Sequence, residues 1–214
     1  MIDDDRRFEL DGAVYEEAKP SLWRQVNPEP FEYDDDYKAS QSTDVAMSWL
    51  RIGWLASHIS SREMKRCHVV DIGSGNGEFM MQGQKAFKSI VSYDVCGESI
   101  TKEELEDTYW DLVVLSDVLE HFKNIDYLFD LQWDLAFISY PELPSWFCAE
   151  HPESLRDWRH FKPNEHLWLL SKPGLAYWFA HNRAEPLAWG HFEDIIRKAW
   201  SETEVNITSV LVER

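Results

Sequence analysis

Short apolar runs alternate with longer mixed segments through most of the chain. Six runs predict strands, and most of them are apolar enough to be buried on both faces: residues 69–72, 89–95, 112–115, 135–139, 186–189 and 207–212. Helical patterns separate several of these runs. The alternation predicts an α/β fold of three layers, in which helices cover both faces of a mostly parallel sheet.

The chain before these runs has a different pattern. Residues 43–59 carry Met47, Leu50 and Trp54 at helical spacing, which predicts an amphipathic helix. Residues 1–42 are acidic, broken by prolines and rich in aromatic side chains, so we expect an arm that packs in part on the domain. The predicted organisation is an arm over 1–42 and one domain over 43–214, with a helical or irregular N-terminal extension.

Three alternating glycines follow the first apolar run. Gly73, Gly75 and Gly77 lie between a predicted buried strand and a predicted helix, where glycine lets the backbone approach a ligand closely. Glu78 occupies the position of the third glycine in the Gly-x-Gly-x-x-Gly pattern of dinucleotide sites. Its carboxylate would oppose a pyrophosphate at the helix N-terminus, so the pattern favours a ligand without one.

An acidic residue ends the second predicted strand. Asp94 comes 23 residues after Asp71, and a carboxylate at about this distance from a glycine loop is placed to accept hydrogen bonds from ribose hydroxyls. The glycine loop and Asp94 together predict a ligand that contains a ribose.

Three motifs in this order resemble class I S-adenosylmethionine-dependent methyltransferases. They are VVDIGSGNG at 69–77, YDV at 93–95 and WDLVVLSDVLEHF at 110–122, and the resemblance is strong over about residues 67–140. It implies a Rossmann-like methyltransferase fold with S-adenosylmethionine as the cofactor. The alternatives are a dinucleotide enzyme and a Rossmann-like domain that has lost its ligand.

The resemblance also implies roles for individual residues. Asp94 with Val95 would hold the ribose, and Ser116 with Asp117 would line the cofactor pocket. The methionine moiety would be held by Asp71, Gly73, Ser74, Gly75 and Gly77. Only 17 residues separate Asp94 from Asp111, whereas a full βαβ unit needs about 30. The family's third strand is therefore expected to be abbreviated or lost, and no residue is assigned to the adenine.

Acidic residues and a histidine follow the third apolar run. We interpret Glu120 and His121 as structural groups that cap neighbouring loops, and we assign no metal ligand. The alternative is a metal site, because Asp117, Glu120 and His121 present two carboxylates and an imidazole within one helical turn. A later histidine such as His166 would complete that site.

Residues 140–170 are rich in Trp, Phe and His. A connection of about 30 residues is long for a compact domain, and such connections are often functional lids. We expect this lid to form the acceptor site, and the candidate catalytic residues are His121, His160 and His166. The alternative for each histidine is ordinary packing on the sheet.

The net charge of the chain limits which classes of acceptor it can bind. The chain has 39 Asp and Glu against 21 Lys and Arg, a net charge of −18, which disfavours nucleic acid and anionic membranes as partners. Three scattered cysteines and the lack of a signal-peptide pattern favour a cytoplasmic protein. The sequence therefore predicts methyl transfer to a small hydroxylated or amine-bearing acceptor, such as a sugar or metabolite. A metal-assisted RNA 2'-O-methyltransferase and a catalytically inactive binding module are the alternatives, and the oligomeric state is left open.

Overall fold

A computed structural model describes residues 6–32, 45–95, 99–197 and 207–214. The strands are β1 (Arg7–Leu10), β2 (Ala13–Lys19), β3 (Leu22–Gln25), β4 (His68–Ile72), β5 (Ser89–Tyr93), β6 (Tyr109–Ser116), β7 (Gln132–Pro141), β8 (Trp168–Leu170), β9 (Glu185–Gly190) and β10 (Ile207–Glu213). The α-helices are α1 (Val45–His58), α2 (Ser61–Met64), α3 (Glu78–Gly83), α4 (Lys102–Asp107), α5 (Tyr127–Asp130), α6 (Lys172–His181) and α7 (Asp194–Arg197). Two 3₁₀ helices cover Leu119–His121 and Pro152–Asp157.

The central sheet has six strands in the order β5-β4-β6-β7-β10-β9. Strands β4 to β7 run parallel, and β10 is antiparallel to both of its neighbours. All six apolar runs that predict strands form this sheet, so the mostly parallel α/β fold is confirmed. The carboxyl ends of β4, β5, β6 and β7 meet at one edge, where ligands bind in folds of this kind.

Helices cover both faces of the sheet. Successive residues of β6 alternate between two cores: Leu112 and Val114 pack on the side of α1, while Val113 and Leu115 pack on the side of α6. These side chains are completely buried. Each contributes about 1.5–3 kcal/mol of transfer free energy, which makes the two cores the main source of stability.

The N-terminal extension differs from the irregular structure that we expected. Strands β1, β2 and β3 form an antiparallel sheet that β8 completes. Phe8 and Tyr15 stack at 5.1 Å and belong to a third core with Trp158 of the lid region. Alternating apolar side chains in β1 and β2 are buried on one face, which is why this acidic segment folds as strands.

Helix α1 also corrects a detail of the sequence interpretation. The helix exists, but its buried residues are Met47, Ser48, Arg51, Ile52 and Leu55, whereas Leu50 and Trp54 are only partly buried. The buried face is therefore rotated by about one residue from the predicted stripe, and it contains an arginine. Residues 43 and 44, the predicted start of the helix, lie outside the described residues.

The connection from β5 to β6 is short. In the described part, residues 99–108, it contains α4 and no strand. Thr101 caps α4 through a reciprocal capping box with Glu104. β5 lies at the edge of the sheet, as expected for a fold whose third strand is lost. None of the described helices is long and apolar enough to span a bilayer.

Candidate functional site

The glycine loop bends sharply at the end of β4. Gly73, Gly75 and Gly77 have positive φ angles of 70°, 54° and 72°. L-amino acids with side chains rarely adopt such angles, so the glycines are needed for the path of the loop. The Gly73 amide donates to the Tyr93 carbonyl at 2.7 Å, and the Gly77 amide donates to the Ser74 carbonyl at 2.9 Å. These bonds fix the loop against the end of β5.

Asp94 lies beside this loop, where β5 ends. Its Oδ2 accepts a hydrogen bond from the Gly75 amide at 3.0 Å. Val95 follows on the surface with 75% of its area exposed. The structure thus brings the two predicted elements of a ribose-containing site together.

Asp71 is the last charged residue of β4 before the loop. It is 3% exposed, and its Oδ2 has no hydrogen-bond partner among the described residues. Burial raises the pKa of Asp71 to about 7, while the Arg51 guanidinium acts in the opposite direction. A buried carboxylate oxygen without a partner is costly in an unliganded protein and fits a site for a polar or cationic ligand group.

Ser116 and Asp117 lie at the end of β6. The Ser116 hydroxyl is buried without a partner among the described residues. Asp117 has a positive φ of 56°, and its amide donates to the Ser139 carbonyl at 2.9 Å. Its carboxylate pairs with Arg197 and, at 3.4 Å, with Arg51. These two residues therefore differ: Ser116 offers an unsatisfied hydroxyl, while Asp117 is held by two guanidinium groups.

A buried ion network lies behind Asp117. Arg51 Nε donates to Glu193 Oε1 at 2.8 Å, and Arg197 Nη2 donates to Glu193 Oε2 at 2.9 Å. Burial raises the pKa of Glu193, but the combined effect of the Arg51 and Arg197 guanidinium groups is larger and holds that pKa below its usual value. We missed this network in the sequence. The sequence does contain a signal for it: Arg51 lies four residues after Met47, on the same face of α1 as Met47 and Leu55. A charged residue on a buried face needs a buried partner of opposite charge.

The structure brings two of the three candidate histidines into contact. The His121 and His166 rings are 4.8 Å apart in an edge-to-face arrangement, and His160 stacks 6.5 Å from His166. Glu120 is 1% exposed and completes a group with His121 and His166 whose ligating atoms all lie within 4.8 Å of one another. Residues that are 46 positions apart in the sequence thus share one cluster.

Burial controls the protonation of this cluster. It is the largest cause that lowers the pKa of His121, that of His160 to about 3 and that of His166 to about 2. Burial and the nearby Asp117 raise the pKa of Glu120. The three imidazoles are therefore neutral near pH 7. The lone pair of His160 Nε2 already accepts a hydrogen bond from Arg159 Nε at 3.0 Å.

The cluster adjoins the glycine loop. A side chain at Gly73 would meet Val118, whose Cγ1 would lie 2.9 Å from the added Cβ. Val118 directly precedes the 3₁₀ helix that carries Glu120 and His121. The glycine loop and the histidine cluster are consequently neighbours at the carboxyl edge of the sheet, and we call the region between them the crevice.

A cavity of about 990 Å³ lies away from the crevice, between the N-terminal sheet, residues 140–170 and the start of α6. Trp23, Phe147 and Lys172 are among its lining residues. The described lining contains no histidine and no residue of the glycine loop. The buried polar groups without partners among the described residues and the sharply bent glycine loop favour the crevice over this cavity, and we assign the chemistry to the crevice.

Comparisons with known proteins bear on the family and the fold. Residues 55–183 match a family model described as a methyltransferase domain. A search of curated proteins finds no match. Similar solved structures include a 1,6-didemethyltoxoflavin-N1-methyltransferase of Burkholderia thailandensis, with TM-score 0.55, 11% identity and coverage of 94% of this chain and 98% of that one.

Two further structures are similar at low identity. An S-adenosylmethionine-dependent methyltransferase of Mesorhizobium loti has TM-score 0.54 and 12% identity and covers 80% of this chain and 100% of its own. The magnesium protoporphyrin IX methyltransferase of Synechocystis PCC 6803, with bound S-adenosylhomocysteine, has TM-score 0.52 and 12% identity over 87% and 90% of the two chains. At such identities these likenesses describe the fold.

The residues of the crevice fit the cofactor of this family. The glycine loop leaves room for close backbone approach, while Asp71 Oδ2 and the Ser116 hydroxyl are buried polar atoms that lack partners among the described residues. Asp94 offers carboxylate oxygens at the end of the neighbouring strand. The family match covers more than half of the chain, and the fold agrees with it. The chain belongs to the methyltransferase-domain family and is a class I S-adenosylmethionine-dependent methyltransferase.

Proposed function

We propose that the enzyme methylates a small hydroxylated or amine-bearing acceptor, such as a sugar or metabolite, in the crevice between the glycine loop and the lid. The observation that carries this proposal is the cluster of neutral, buried histidines next to the loop. Neutral imidazoles can accept hydrogen bonds from a hydroxyl or an amine and can orient it for attack.

The residues divide the work along the crevice. Asp71 and the loop with Gly73, Ser74, Gly75 and Gly77 hold the methionine end of the cofactor. Asp94 with Val95 holds the ribose, and Ser116 with Asp117 lines the pocket wall. Bound S-adenosylmethionine supplies a methyl group on a sulfonium, which a correctly placed nucleophile displaces in line. His121, His160 and His166 orient the acceptor for that displacement, and residues 140–170 form the lid over it.

Charge supports a small acceptor over RNA. A net charge of −18 repels a phosphate backbone. Arg51 and Arg197 are already paired with Glu193 and Asp117, and Lys162, beside the histidine cluster, is paired with Glu165. The Burkholderia thailandensis enzyme, which was crystallised with 1,6-didemethyltoxoflavin and S-adenosylhomocysteine, matches 94% of this chain and is consistent with a small acceptor.

An acceptor panel tests this proposal. We expect S-adenosylhomocysteine to form above background with at least one small hydroxylated or amine-bearing compound and not with RNA oligonucleotides. The measurement is the release of S-adenosylhomocysteine by chromatography, with labelled methyl transfer as a second readout. His166→Asn should lose turnover and keep cofactor affinity. Methylation of RNA alone, with every small acceptor inert, would contradict the proposal.

Asp71 predicts a pH dependence of cofactor binding. If its carboxylate pairs with the ammonium group of the methionine moiety, only the ionised form binds well. With a pKa of about 7, affinity should be about tenfold weaker at about pH 6 than at about pH 8 and should level off above that. The free energy of unfolding of the unliganded protein should follow the opposite trend with pH. The raised pKa of Asp71 in the folded protein favours folding at low pH, and this contribution is lost as the pH rises from about 4 to 7.

Calorimetric titration with S-adenosylhomocysteine at several pH values measures the binding effect. The Asp71→Asn variant shows how much of the pH dependence comes from other titrating groups. We expect this variant to bind S-adenosylhomocysteine weakly, with an affinity that depends little on pH. A wild-type affinity that stays constant between about pH 6 and 8 would contradict the role of Asp71.

A further inference from the structure

Two buried polar atoms of the histidine cluster lack a hydrogen-bond partner in the part of the chain that the structure describes. They are Glu120 Oε2 and His121 Nδ1. Buried polar atoms are nearly always paired with protein, water or an ion. Both residues belong to a group of three possible metal ligands, and His166 from the lid region is the third member.

The third side chain is already oriented as a metal ligand. His166 Nδ1 lies 2.9 Å from the His160 carbonyl oxygen, which can only accept a hydrogen bond. Nδ1 therefore carries the proton, and Nε2 has a free lone pair. Metal-binding histidines usually show this arrangement, in which a carbonyl fixes the tautomer and the ring direction. Glu165 Oε1 lies 3.7 Å from Nε2 and is also paired with the Lys162 ammonium.

We propose that Glu120, His121 and His166 bind one divalent transition-metal ion. Two imidazoles and one carboxylate suit zinc, manganese or iron, whereas magnesium and calcium prefer oxygen ligands alone. Adjacent ligands of such an ion lie about 3–3.5 Å apart, since each bond is about 2.0–2.2 Å long and neighbouring bonds meet at about 90–109°. The ligating atoms lie within 4.8 Å of one another, so small side-chain movements close the site.

Asp117 is not part of this site. The metal alternative in the sequence grouped it with Glu120 and His121, but the group of possible ligands in the described residues contains Glu120, His121 and His166. The Asp117 carboxylate is held by Arg197 and Arg51. The set that we propose combines two neighbouring residues with one from the lid region, and it is an alternative to the structural interpretation of Glu120 and His121.

The ion restricts which acceptors the site can bind, and this inference rests on the proposed function. Three protein ligands leave coordination positions open, as in catalytic metal sites. Because Val118, next to Glu120 and His121, lies against Gly73, we place those positions beside the glycine loop, where they can take oxygen atoms of the acceptor. An amine that is protonated near neutral pH would be repelled by the ion, whereas a hydroxyl would be bound and oriented. The site therefore selects hydroxylated acceptors over amines.

Metal titration tests the site without any acceptor. Protein without a purification tag is treated with EDTA, dialysed and titrated with Zn²⁺, Mn²⁺ or Mg²⁺ in a calorimeter. We expect one Zn²⁺ or Mn²⁺ per chain and weaker binding of Mg²⁺. Glu120→Gln and His166→Asn should each lose at least tenfold in affinity. His151→Asn, a change at an exposed histidine, should bind like the wild type.

A second measurement covers variants that fail to fold. Co²⁺ added to the wild-type protein should give visible absorption bands that saturate at one equivalent and that Zn²⁺ displaces. A wild-type protein that binds no metal saturably, or folded variants that bind as tightly as the wild type, would overturn the proposal. Binding of S-adenosylhomocysteine is measured in parallel and should not depend on the metal. Metal binding without turnover on any small acceptor would leave the ion site intact and contradict the proposed function alone.

Discussion

Gly73→Ala is expected to destabilise the protein by about 2–5 kcal/mol and to weaken S-adenosylhomocysteine binding more than tenfold. The backbone contributes about 1–2 kcal/mol of this, because φ is 70° and alanine resists that angle. Steric overlap contributes a further 1–3 kcal/mol or so, since the new Cβ would lie 3.2 Å from Val118 Cβ and closer still to its methyl groups. Urea denaturation and calorimetry measure the two effects.

Other glycines separate the two causes. Gly77→Ala has nearly the same backbone strain, with φ 72°, but the nearest atom to its Cβ would be Met80 Cε at 3.8 Å. Gly12→Ala, in the turn between β1 and β2, has φ 82° and no atom within 4 Å. Both should lose only the backbone contribution in stability. The double change Gly73→Ala with Val118→Ala should recover part of the loss, and equal losses for Gly73→Ala and Gly77→Ala would argue against the overlap.

Arg51→Met is expected to reduce the free energy of unfolding by about 3–5 kcal/mol, which is the usual cost of leaving a buried charge without its partner. Glu193 is completely buried, and Arg51, at 3% exposure, is bonded to both of its carboxylate oxygens. Arg197 remains and limits the loss. Because the network also holds Asp117 next to Ser116, cofactor affinity should fall as well.

Two matched changes test this explanation by urea denaturation. Arg7→Met removes an ion pair of Arg7, whose side chain is 59% exposed, with Glu16, and should have little effect because solvent screens such pairs. The double change Arg51→Met with Glu193→Met removes both partners and should be more stable than Arg51→Met alone. If Arg51→Met is no more harmful than Arg7→Met, the network does not stabilise the fold.

The sequence predicted those parts of the fold whose pattern is local. Buried parallel strands require continuous apolar runs, so the strands of the central sheet were visible, and the glycine loop was visible from its spacing. The N-terminal strands were not recognised. Their alternation is short and interrupted by charges, and β3 is completed only by β8, which lies far away in sequence. Arg51 also hid the buried face of α1 from the sequence pattern, because a charged residue usually marks an exposed face. Its burial is explained only by the ion pair with Glu193, which is distant in the sequence.

The site could be predicted in its parts but not in its geometry. The order of motifs identified Asp71, Asp94 and the loop as candidates. The sequence also named Asp117, Glu120, His121 and a later histidine as possible metal ligands, but it could not separate them. That separation depends on tertiary contacts: Arg197 and Arg51 engage Asp117, and the lid carries His166 to Glu120 and His121.

A crystal structure with bound S-adenosylhomocysteine would show how one crevice positions the cofactor and the acceptor. We expect the ribose hydroxyls to bond to Asp94, the methionine moiety to lie along the glycine loop near Asp71, and the sulfur to face Glu120, His121 and His166. A ribose away from Asp94, or a sulfur directed away from the three ligating side chains, would contradict this arrangement.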